Sequence, residues 1–429
     1  MLGTGIFFTP GELASVAQSP GQVYFFWGLC GLITLCGALT LAELATLLPR
    51  AGATYHIIRE GFGPFWGFVK IWVELFVSGP GSVAGVAILF GEFAARLLGP
   101  ASTLSPAVLG AAAIVVFMAV NLLGIQWGGR TQVVLTTIKI VGLLALVAGS
   151  LLLAAPESSA GTGAPAATSL AGFVRLVGLG IAAVLFTYDG WVDVTHVAGE
   201  VEEPRKRLPA GLGLGVLGIT VLYLVVNYAF LRVVPLDAMR AAPSAVATTV
   251  AEAAFGPSGG RLVSALIMLS ILGALGGLVM TLPRLYYAAA AQYDEATAGL
   301  WCHPFFHALS RISSRSVPAG SVVFSAGLSI LALFFFGAFS RIVTYFVVPL
   351  QFVNILLVAS VFRLRRRTAA DPSSYLTPGY PWVPALYVLV LLLFLGSAVV
   401  YNPRDTLIGI AMTATAVPVY LGISKGGRA

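Results

Sequence analysis

Long apolar stretches separated by short polar segments run along the whole chain. Each stretch is close to the roughly 20 helical residues that cross a hydrocarbon core about 30 Å thick. The pattern therefore predicts eleven membrane-spanning helices. They are Val23–Leu48, Phe65–Leu98, Pro106–Leu123, Val133–Ala154, Leu170–His196, Leu212–Val233, Leu262–Ala291, Val317–Phe339, Ile342–Phe362, Trp382–Tyr401 and Leu407–Ile423.

The apolar stretch that opens the chain is too short to be a further full span. It ends near Ser19-Pro20 and, after Gly5, provides about 12 to 14 helical residues, roughly 20 Å of helix. It also lacks the charged leading region of a signal peptide. We interpret it as the second half of a broken first helix, whose first half we expect upstream of Met1.

Three segments depart from the regular alternation of spans and short connectors. Phe65–Leu98 is longer than one span requires and contains Gly79-Pro80-Gly81, which predicts a tilted or kinked helix. Pro156–Thr168 is rich in Ser, Gly, Ala and Pro and is predicted to be a flexible external loop. Arg363–Pro381 is basic and then polar, and it separates the last two spans from the others. We therefore expect a core of residues 1–362 and a C-terminal region of residues 363–429.

The composition fits one integral membrane domain. Hydrophobic residues make up 58% of the 429 residues and charged residues only 10%, against about 25% charged in soluble domains. The net charge is +7, but Lys and Arg sit singly or in short groups between apolar runs, whereas a nucleic-acid binder clusters them on a solvated face, so no nucleic-acid partner is predicted. Of the 24 Lys and Arg residues, sixteen fall at one set of alternate span ends, seven at the other and Lys139 inside a span.

The uneven distribution of these basic residues predicts the orientation. Loops rich in Lys and Arg face the cytoplasm, so we expect the sixteen-residue side, with the C-terminus, to be cytoplasmic. The expected setting is the lipid bilayer of the plasma membrane, or the inner membrane if the protein is bacterial, crossed many times.

Several motif matches do not predict cofactor or metal chemistry. Cys30, Cys36 and Cys302 are interpreted as ordinary buried thiols. Gly213–Gly218 matches GxGxxG but lies inside a predicted span and does not follow a strand, so no dinucleotide site is predicted. The sequence contains no GKS or GKT phosphate loop and no HExxH. We predict neither a cofactor nor an enzymatic activity.

His303 and His307 have the i, i+4 spacing of some metal-binding pairs. Pro304 lies between them, however, and no Glu follows the first His. The sequence analysis therefore predicts no metal site at this predicted cytoplasmic connector.

Two predicted helix breaks provide the groups that could bind a ligand. They are Gly3-Thr4-Gly5 in the first helix and Phe186–Trp191 in the sixth. A bilayer tolerates a broken helix only where it is packed in protein or lines a cavity. Helices one and six are equivalent if residues 1–154 and 169–362 form two repeats, an arrangement found in transporters with midplane sites. The alternative is that these glycines only allow close helix packing.

The two breaks offer complementary groups to a ligand. A half-helix that begins at Thr4–Ile6 exposes free N–H groups and a partial positive charge, which suit a carboxylate. Unwound carbonyls between Phe186 and Asp189 can accept hydrogen bonds from an ammonium group. Together they predict a zwitterionic amino acid as the ligand.

Three charged residues lie inside predicted spans. Lys139 is about seven residues from the cytoplasmic end of its helix. We interpret it as a fixed cation that is bonded to carbonyls of a broken helix, at a place where a sodium ion could sit. The alternative is that its long side chain snorkels to the membrane surface. Asp189 could bind a cationic substrate, carry a proton or cap the following half-helix. Glu43 is expected to be structural, paired with a basic residue of a neighbouring loop.

Three stretches along the chain form one ordered set of motifs. They are Gly3-Thr4-Gly5-Ile6-Phe7, Ala42-Glu43-Leu44 with Pro49-Arg50-Ala51-Gly52-Ala53-Thr54-Tyr55, and Phe186-Thr187-Tyr188-Asp189-Gly190-Trp191 with Gly199-Glu200-Val201-Glu202-Glu203-Pro204 and Leu208-Pro209. In this order they resemble the amino acid–polyamine–organocation transporters, and within them the L-amino-acid-transporter-like branch. The resemblance covers essentially the whole chain. Thr4 stands where the helix-one signature of that family has Ser, and Asp189 stands where some relatives have Gly.

The resemblance implies an all-α integral membrane protein with a LeuT-type 5+5 inverted repeat and two additional C-terminal helices. It implies that substrate carboxylate binds at the amides of Thr4, Gly5 and Ile6, that substrate ammonium binds at carbonyls near Leu2, Phe186 and Asp189, and that Phe186 is an aromatic gate. Lys139 matches a helix-five Lys of members without sodium coupling. The expected substrate-binding residues are Leu2, Gly3, Thr4, Gly5, Ile6, Phe186, Thr187, Tyr188, Asp189 and Gly190.

The expected function is sodium-independent exchange or facilitated transport of neutral L-amino acids by alternating access. One alternative is a proton-coupled polyamine or cationic amino acid permease that uses Asp189. The second is a membrane sensor or subunit that does not itself transport. The sequence leaves open which amino acids are bound and whether the protein forms oligomers.

Overall fold

The computed structural model describes residues 3, 5–48, 53–99, 103–123, 128–155, 180–181, 184–185, 187–192, 203–294, 297, 302–313, 317–367 and 375–426. Every regular element within these residues is a helix. The predicted loop Pro156–Thr168 and most of the predicted span Leu170–His196 lie outside the described residues. The all-α prediction is confirmed for the part of the chain that is described.

Sixteen α-helices follow one another along the described chain, with a π-helix between α4 and α5 and a short 3-10 helix between α9 and α10. They are α1 Gly5–Val16, α2 Pro20–Leu47, α3 Ala53–Phe62, α4 Pro64–Val73, the π-helix Glu74–Ser78, α5 Gly79–Leu98, α6 Pro106–Leu122, α7 Gly128–Leu152, α8 Pro204–Val233, α9 Leu236–Ala241, the 3-10 helix Pro243–Ala245, α10 Val246–Asp294, α11 His303–Leu309, α12 Ala319–Phe336, α13 Phe339–Arg367, α14 Trp382–Tyr401, α15 Pro403–Ala414 and α16 Ala416–Gly426.

The helices fall where the apolar stretches predict them. Each predicted span other than Leu170–His196 falls on helical residues, although Phe65–Leu98 covers α4, the π-helix and α5 and Leu407–Ile423 covers α15 and α16. The described residues contain eight helical stretches long and apolar enough to cross a membrane. The sequence sets some boundaries directly: Ser19 and Ser105 each accept a hydrogen bond from the backbone at the start of α2 and α6, and a Pro follows each Ser. The protein is therefore a multi-pass membrane protein.

The described residues belong to two compact units, each assembled from segments distant in sequence. Unit 1 comprises Met1–Gly67, Ile140–Leu266 and Gln351–Pro403. Unit 2 comprises Phe68–Lys139, Ile267–Leu350 and Arg404–Ala429. Counted by predicted helix, unit 1 holds helices one, two, six, seven and eleven, and unit 2 holds three, four, eight, nine and twelve. Helices five and ten are each divided near the middle.

The irregularity predicted at Gly79-Pro80-Gly81 is confirmed. The helix becomes a π-helix over Glu74–Ser78, directly before Gly79. Pro80 has no N–H to give to the carbonyl of Phe76, four residues earlier. The Tyr345 hydroxyl donates to that oxygen instead, at 2.8 Å. A side chain from another helix thus replaces the missing backbone bond.

Charged groups of unit 2 also stabilise this π-helix. The Lys70 ammonium donates to Oε2 of Glu74 at 2.8 Å, and the Ser78 hydroxyl donates to the same oxygen at 2.8 Å. Both charged side chains are largely buried, so each depends on the other for compensation. A Cβ added to Gly79 would overlap the Tyr286 hydroxyl, which explains why this position of the helix has no side chain.

A second irregularity, in α10, was not predicted. Gly256 has φ +70° and ψ −172°, which interrupts the helix before the predicted span Leu262–Ala291 begins. Positive φ favours glycine. The run Gly256-Pro257-Ser258-Gly259-Gly260 is a local helix-breaking signal that the sequence analysis did not use.

The expected structural role of Glu43 is confirmed within unit 1, but its basic partner, Arg365, lies in the last turn of α13 and not in a loop. Its side chain is fully buried near the end of α2. One carboxylate oxygen lies 3.5 Å from Nε of Arg365, and the other accepts the backbone N–H of Thr377 at 2.7 Å. The Arg365 guanidinium also lies 4.1 Å from the ring centroid of Tyr380. The start and the end of the Arg363–Pro381 segment are thereby anchored to α2.

The three cysteines are buried and unpaired, as predicted for ordinary core thiols. Gly213–Gly218 lies within α8, in agreement with its interpretation as part of a spanning helix.

Candidate substrate site

The first turn of α1 forms one side of the predicted site. The helix begins at Gly5, and both Gly5 and Ile6 are buried. Its first backbone N–H groups have no acceptor within the helix, because a helix leaves four such donors at its start. Gly3 lies in a bend just before the helix. Leu2 and Thr4 lie outside the described residues, so their predicted roles stay predictions.

The predicted break in the sixth helix is confirmed at residues 189–190. Residues 180–181, 184–185 and 187–188 are helical, and the helix then stops at Asp189 and Gly190. Gly190 has φ +95°, a conformation that residues with a Cβ rarely adopt. Phe186, the predicted gate, lies outside the described residues.

The two breaks meet at Gly5 and Thr187. A Cβ added to Gly5 would lie 2.9 Å from Cγ2 of Thr187 and still closer to its hydroxyl oxygen. One turn further along α1, the hydroxyl oxygens of Thr9 and Thr187 are 2.6 Å apart and buried. Glycine at position 5 is therefore what allows α1 to pack this closely against the sixth helix.

The side chain of Tyr188 contacts α2 and α8, and its predicted role in substrate binding stays a prediction. Its hydroxyl donates to the carbonyl of Trp27 in α2 at 3.1 Å. Its ring also packs against the rings of Trp27 and Tyr223, with centroids 5.9 and 5.3 Å away. The side chain of Tyr188 thus belongs to the packing between the sixth helix and α2 and α8.

Tyr223 also contacts the end of the helical segment before the break. Its hydroxyl donates to the carbonyl of Thr187 at 3.4 Å, at the long end of hydrogen-bond distances. The hydrogen bond from Tyr223 to the carbonyl of Thr187 is therefore a weak one.

On its other side, the break packs against α14, which the sequence analysis did not foresee. The rings of Trp191 and Tyr387 lie edge to face with centroids 6.0 Å apart. Asp189, two residues before Trp191, is half-buried. Gly37 of α2 leaves room for both rings, since a Cβ there would be 2.6 Å from Tyr387. A separation of about 200 residues leaves no local signal for this contact.

The far end of α1 is capped by Arg240, another residue that sequence reasoning missed. The guanidinium donates to the carbonyls of Ala14 and Ala17 at 2.8 and 2.5 Å and pairs with Asp237. Cations at a helix C-terminus satisfy its free carbonyls and its partial negative charge. The backbone of Pro243 also contacts Gly11 closely. The segment after α8 therefore fixes the position of α1.

Lys139 lies in α7 with 9% of its surface exposed. Among the described residues, none accepts a hydrogen bond from its ammonium group. The predicted carbonyl partners include residues outside the described part of the chain, so its role stays a prediction. The burial of Lys139 still supports a functional role, because placing a charge inside a membrane span is costly.

Comparison with known proteins bears on this geometry. A family model described as "Amino acid permease" matches residues 1–423. The chain is 28% identical over 426 residues to the serine/threonine exchanger SteT of Bacillus subtilis, covering 99% of this chain and 94% of the exchanger. It is 26% identical to the human cystine/glutamate transporter, covering 98% and 81% of the two chains. It is 27% identical to the mouse b(0,+)-type amino acid transporter 1, covering 94% and 80%.

These similarities extend over the helices that build the site as well as over the rest of the membrane domain. The matched proteins are transporters and exchangers, which agrees with the prediction that the chain is not an enzyme. Because the family match begins at the first residue and takes in every membrane-spanning helix described above, the chain belongs to the amino acid permease family, an amino acid transporter of the amino acid–polyamine–organocation superfamily.

Proposed function

We propose that this permease carries out sodium-independent exchange or facilitated transport of neutral L-amino acids by alternating access. The observation that carries the proposal is the contact between Gly5 at the start of α1 and Thr187 beside the helix break at 189–190. It brings free helix N–H groups close to a segment of non-helical backbone. A small ligand with one anionic and one cationic group fits such a pair of breaks.

In this proposal the backbone of the two breaks recognises the amino acid. The N–H groups of Thr4, Gly5 and Ile6 bind the substrate carboxylate, and carbonyls near Leu2, Phe186 and Asp189 bind the ammonium group. The ring of Phe186 closes over the substrate. Recognition by backbone groups leaves the side chain of the substrate to be selected by other walls of the site.

The composition of the two units supports a LeuT-type inverted repeat. If residues 1–154 and 169–362 are repeats, helices one and six correspond, as do two and seven, three and eight, and four and nine. Each corresponding pair falls in the same unit, and the fifth helix of each repeat is divided near its middle. Residues 363–429 then supply the two additional helices. The repeats give the protein two similar halves, as alternating access requires.

Lys139 supports the sodium-independent form of the proposal. Its buried ammonium group supplies a fixed positive charge inside a span, where a sodium-coupled transporter would bind a sodium ion. The exchange form is supported by the similarity to the serine/threonine exchanger SteT. The orientation we propose, with the C-terminus in the cytoplasm, follows from the excess of Lys and Arg on that side.

A second candidate function is transport of cationic amino acids or polyamines. It is supported by the half-buried carboxylate of Asp189 at the helix break. On this alternative, Asp189 would pair with the extra positive charge of the substrate or carry a coupled proton.

The deciding experiment is uptake into proteoliposomes that contain the purified chain and no sodium. Labelled serine, threonine and leucine are offered to vesicles that are empty or preloaded with the same amino acid. Stimulation by internal substrate would support exchange, and equal uptake in empty vesicles would support facilitated transport. Uptake that appears only with sodium, or only with an imposed pH gradient, would overturn the proposal.

Two variants separate the candidate functions. Lys139→Ala is expected to lower neutral amino acid uptake strongly while the protein still inserts and stays monodisperse, and unchanged rates would remove the role given to Lys139. Competition by arginine or putrescine but not by leucine, lost in Asp189→Asn, would favour the cationic alternative. Saturable binding without any flux would instead favour a non-transporting sensor or subunit.

A further inference from the structure

Asp294, His303 and His307 form a cluster in unit 2 that plays no part in the proposed transport mechanism. Asp294 is the last residue of α10, and the two histidines lie one turn apart on α11. Their side chains are 24%, 34% and 42% exposed, so the cluster is accessible from solvent without being fully exposed. It therefore has to be explained separately.

The carboxylate of Asp294 lies between the two imidazoles. Its Oδ1 is 3.4 Å from Nε2 of His303, and its Oδ2 is 3.2 Å from Nδ1 of His307. The two rings are nearly parallel, with an interplanar angle of 21° and centroids 5.2 Å apart. The three groups thus point potential ligand atoms at one small volume.

This arrangement corrects the reason that the sequence analysis gave against a metal site. Pro304 lies in the first turn of α11, where a missing N–H costs no hydrogen bond, so it does not disturb the helical spacing of the histidines. The acidic ligand also comes from another helix, nine residues before His303, and not from a Glu within a local motif. The sequence offered no spacing rule that would link Asp294 to the pair.

The distances are close to those of a metal site. One ligand atom from each residue can be chosen so that all three lie within 4.8 Å of one another. Zinc bonds of about 2.0 to 2.2 Å place tetrahedral ligand atoms roughly 3.3 to 3.5 Å apart. Small side-chain rotations would close the remaining gap, and a water molecule would complete the tetrahedron.

A second observation orients the carboxylate. The Ser310 hydroxyl donates to Oδ2 of Asp294 at 2.9 Å, and such outer hydrogen bonds hold metal ligands in place. Oδ1 is buried from solvent and, within the described residues, accepts no hydrogen bond by strict geometry. A buried carboxylate oxygen with a poorly aligned neighbour is a group that a cation would satisfy.

An ion pair explains the cluster less well than a metal. Charging both histidines would place two cations on nearly parallel rings 5.2 Å apart with a single carboxylate to compensate them. With neutral imidazoles, a divalent cation can accept a lone pair from each ring and one from the carboxylate. Two nitrogen ligands and one oxygen ligand suit zinc and its neighbours better than magnesium or calcium.

We propose that Asp294, His303 and His307 bind one divalent transition-metal ion, with zinc as the expected ion. The bound ion would join the end of α10 to α11. The proposal does not depend on which substrate the permease transports or on whether it exchanges.

The test is titration of the purified full-length chain with zinc chloride after removal of metals by EDTA, with an affinity tag that contains no histidine. Calorimetry and elemental analysis are expected to give one zinc ion per chain. His307→Ala and Asp294→Asn are each expected to weaken binding at least tenfold. The matched control is His56→Ala, which changes a histidine of α3 in unit 1 and is expected to leave binding unchanged.

A second measurement, of thermal stability, tests the proposal even if the single variants fold poorly. In the paired variant His303→Gln with His307→Gln, amide groups keep some hydrogen-bonding capacity, and its melting temperature without metal is compared with that of the unchanged chain. Zinc should raise the melting temperature of the unchanged chain and not that of the paired variant. No saturable binding in the unchanged chain, or equal binding in the paired variant, would overturn the proposal and leave the cluster as a hydrogen-bonded connection between two helices.

Discussion

The helix break at 189–190 in unit 1 interrupts a predicted membrane span and the π-helix Glu74–Ser78 in unit 2 interrupts an observed one, and different partners contact the two. In unit 2, the carbonyl of Phe76 takes a 2.8 Å hydrogen bond from Tyr345, and Glu74 pairs with Lys70. In unit 1, the Tyr223 hydroxyl donates a longer hydrogen bond, 3.4 Å, to the carbonyl of Thr187.

The difference indicates two uses for an irregular helix. The π-helix of unit 2 is closed by strong local partners, so its backbone is part of the packed interior. The break of unit 1 depends on the positive φ of Gly190 and on close packing of Gly5 against Thr187. Non-helical backbone at such a break is where a transporter can bind its substrate. We therefore expect changes in unit 2 to lower stability and changes in unit 1 to lower transport.

The largest expected effect is on the ion pair of unit 2. Lys70→Met removes the cation and leaves the largely buried Glu74 carboxylate without its charged partner, so we expect a loss of about 3 to 5 kcal/mol in the free energy of unfolding. Chemical denaturation in detergent micelles measures it. Combining Lys70→Met with Glu74→Gln should recover most of the loss, because no uncompensated charge remains.

The control for this ion pair is Lys206→Met in α8. Lys206 and Glu203 form an exposed pair at 4.0 Å, with side chains 81% and 63% accessible. Exposed pairs contribute about 0 to 1 kcal/mol. A loss for Lys70→Met as small as that for Lys206→Met would contradict the view that charge compensation stabilises the π-helix.

The next effect is on transport by unit 1. In Gly5→Ala, the new Cβ would overlap Thr187 and push α1 away from the break, so we expect uptake to fall at least tenfold, about 1.4 kcal/mol in the transport barrier. Proteoliposome uptake per correctly folded molecule measures it. Gly28→Ala in α2 is the matched control, since a Cβ there meets nothing within 4 Å. Equal uptake by the two variants would show that the Gly5–Thr187 contact is ordinary packing.

These comparisons also separate what the sequence predicts from what only the fold reveals. Apolar length predicted the spans, the segment Phe186–Trp191 with its Asp189 and Gly190 predicted the break at 189–190, and Gly79-Pro80-Gly81 predicted the irregularity before Gly79, because these signals are local. The partners were not predictable. Tyr345 reaches Phe76 across 269 residues, and Arg240 caps a helix more than 220 residues earlier. Such contacts depend on tertiary packing, which leaves no spacing pattern in the chain.

A smaller effect is expected from removing the hydroxyl that replaces the backbone bond in unit 2. Tyr345→Phe leaves the carbonyl of Phe76 without its 2.8 Å donor, and we expect a loss of about 1 kcal/mol in the free energy of unfolding. The same denaturation experiment measures it. Tyr228→Phe, an exposed position in α8, controls for the loss of a tyrosine hydroxyl and should change stability little.

The smallest effect is expected from the same chemical change in unit 1. Tyr223→Phe removes a donor 3.4 Å from the carbonyl of Thr187, and we expect a loss of about 0.5 kcal/mol or less, because hydrogen bonds weaken steeply with length. The losses in the free energy of unfolding for Tyr223→Phe and Tyr345→Phe, measured in the same experiment, compare how strongly each hydroxyl stabilises the irregular backbone that it contacts. A larger loss for Tyr223→Phe than for Tyr345→Phe would mean that the carbonyl of Thr187 is committed to the protein. The carbonyls near the break would then be poor candidates for binding the ammonium group of a substrate, and recognition would have to come from side chains such as Asp189.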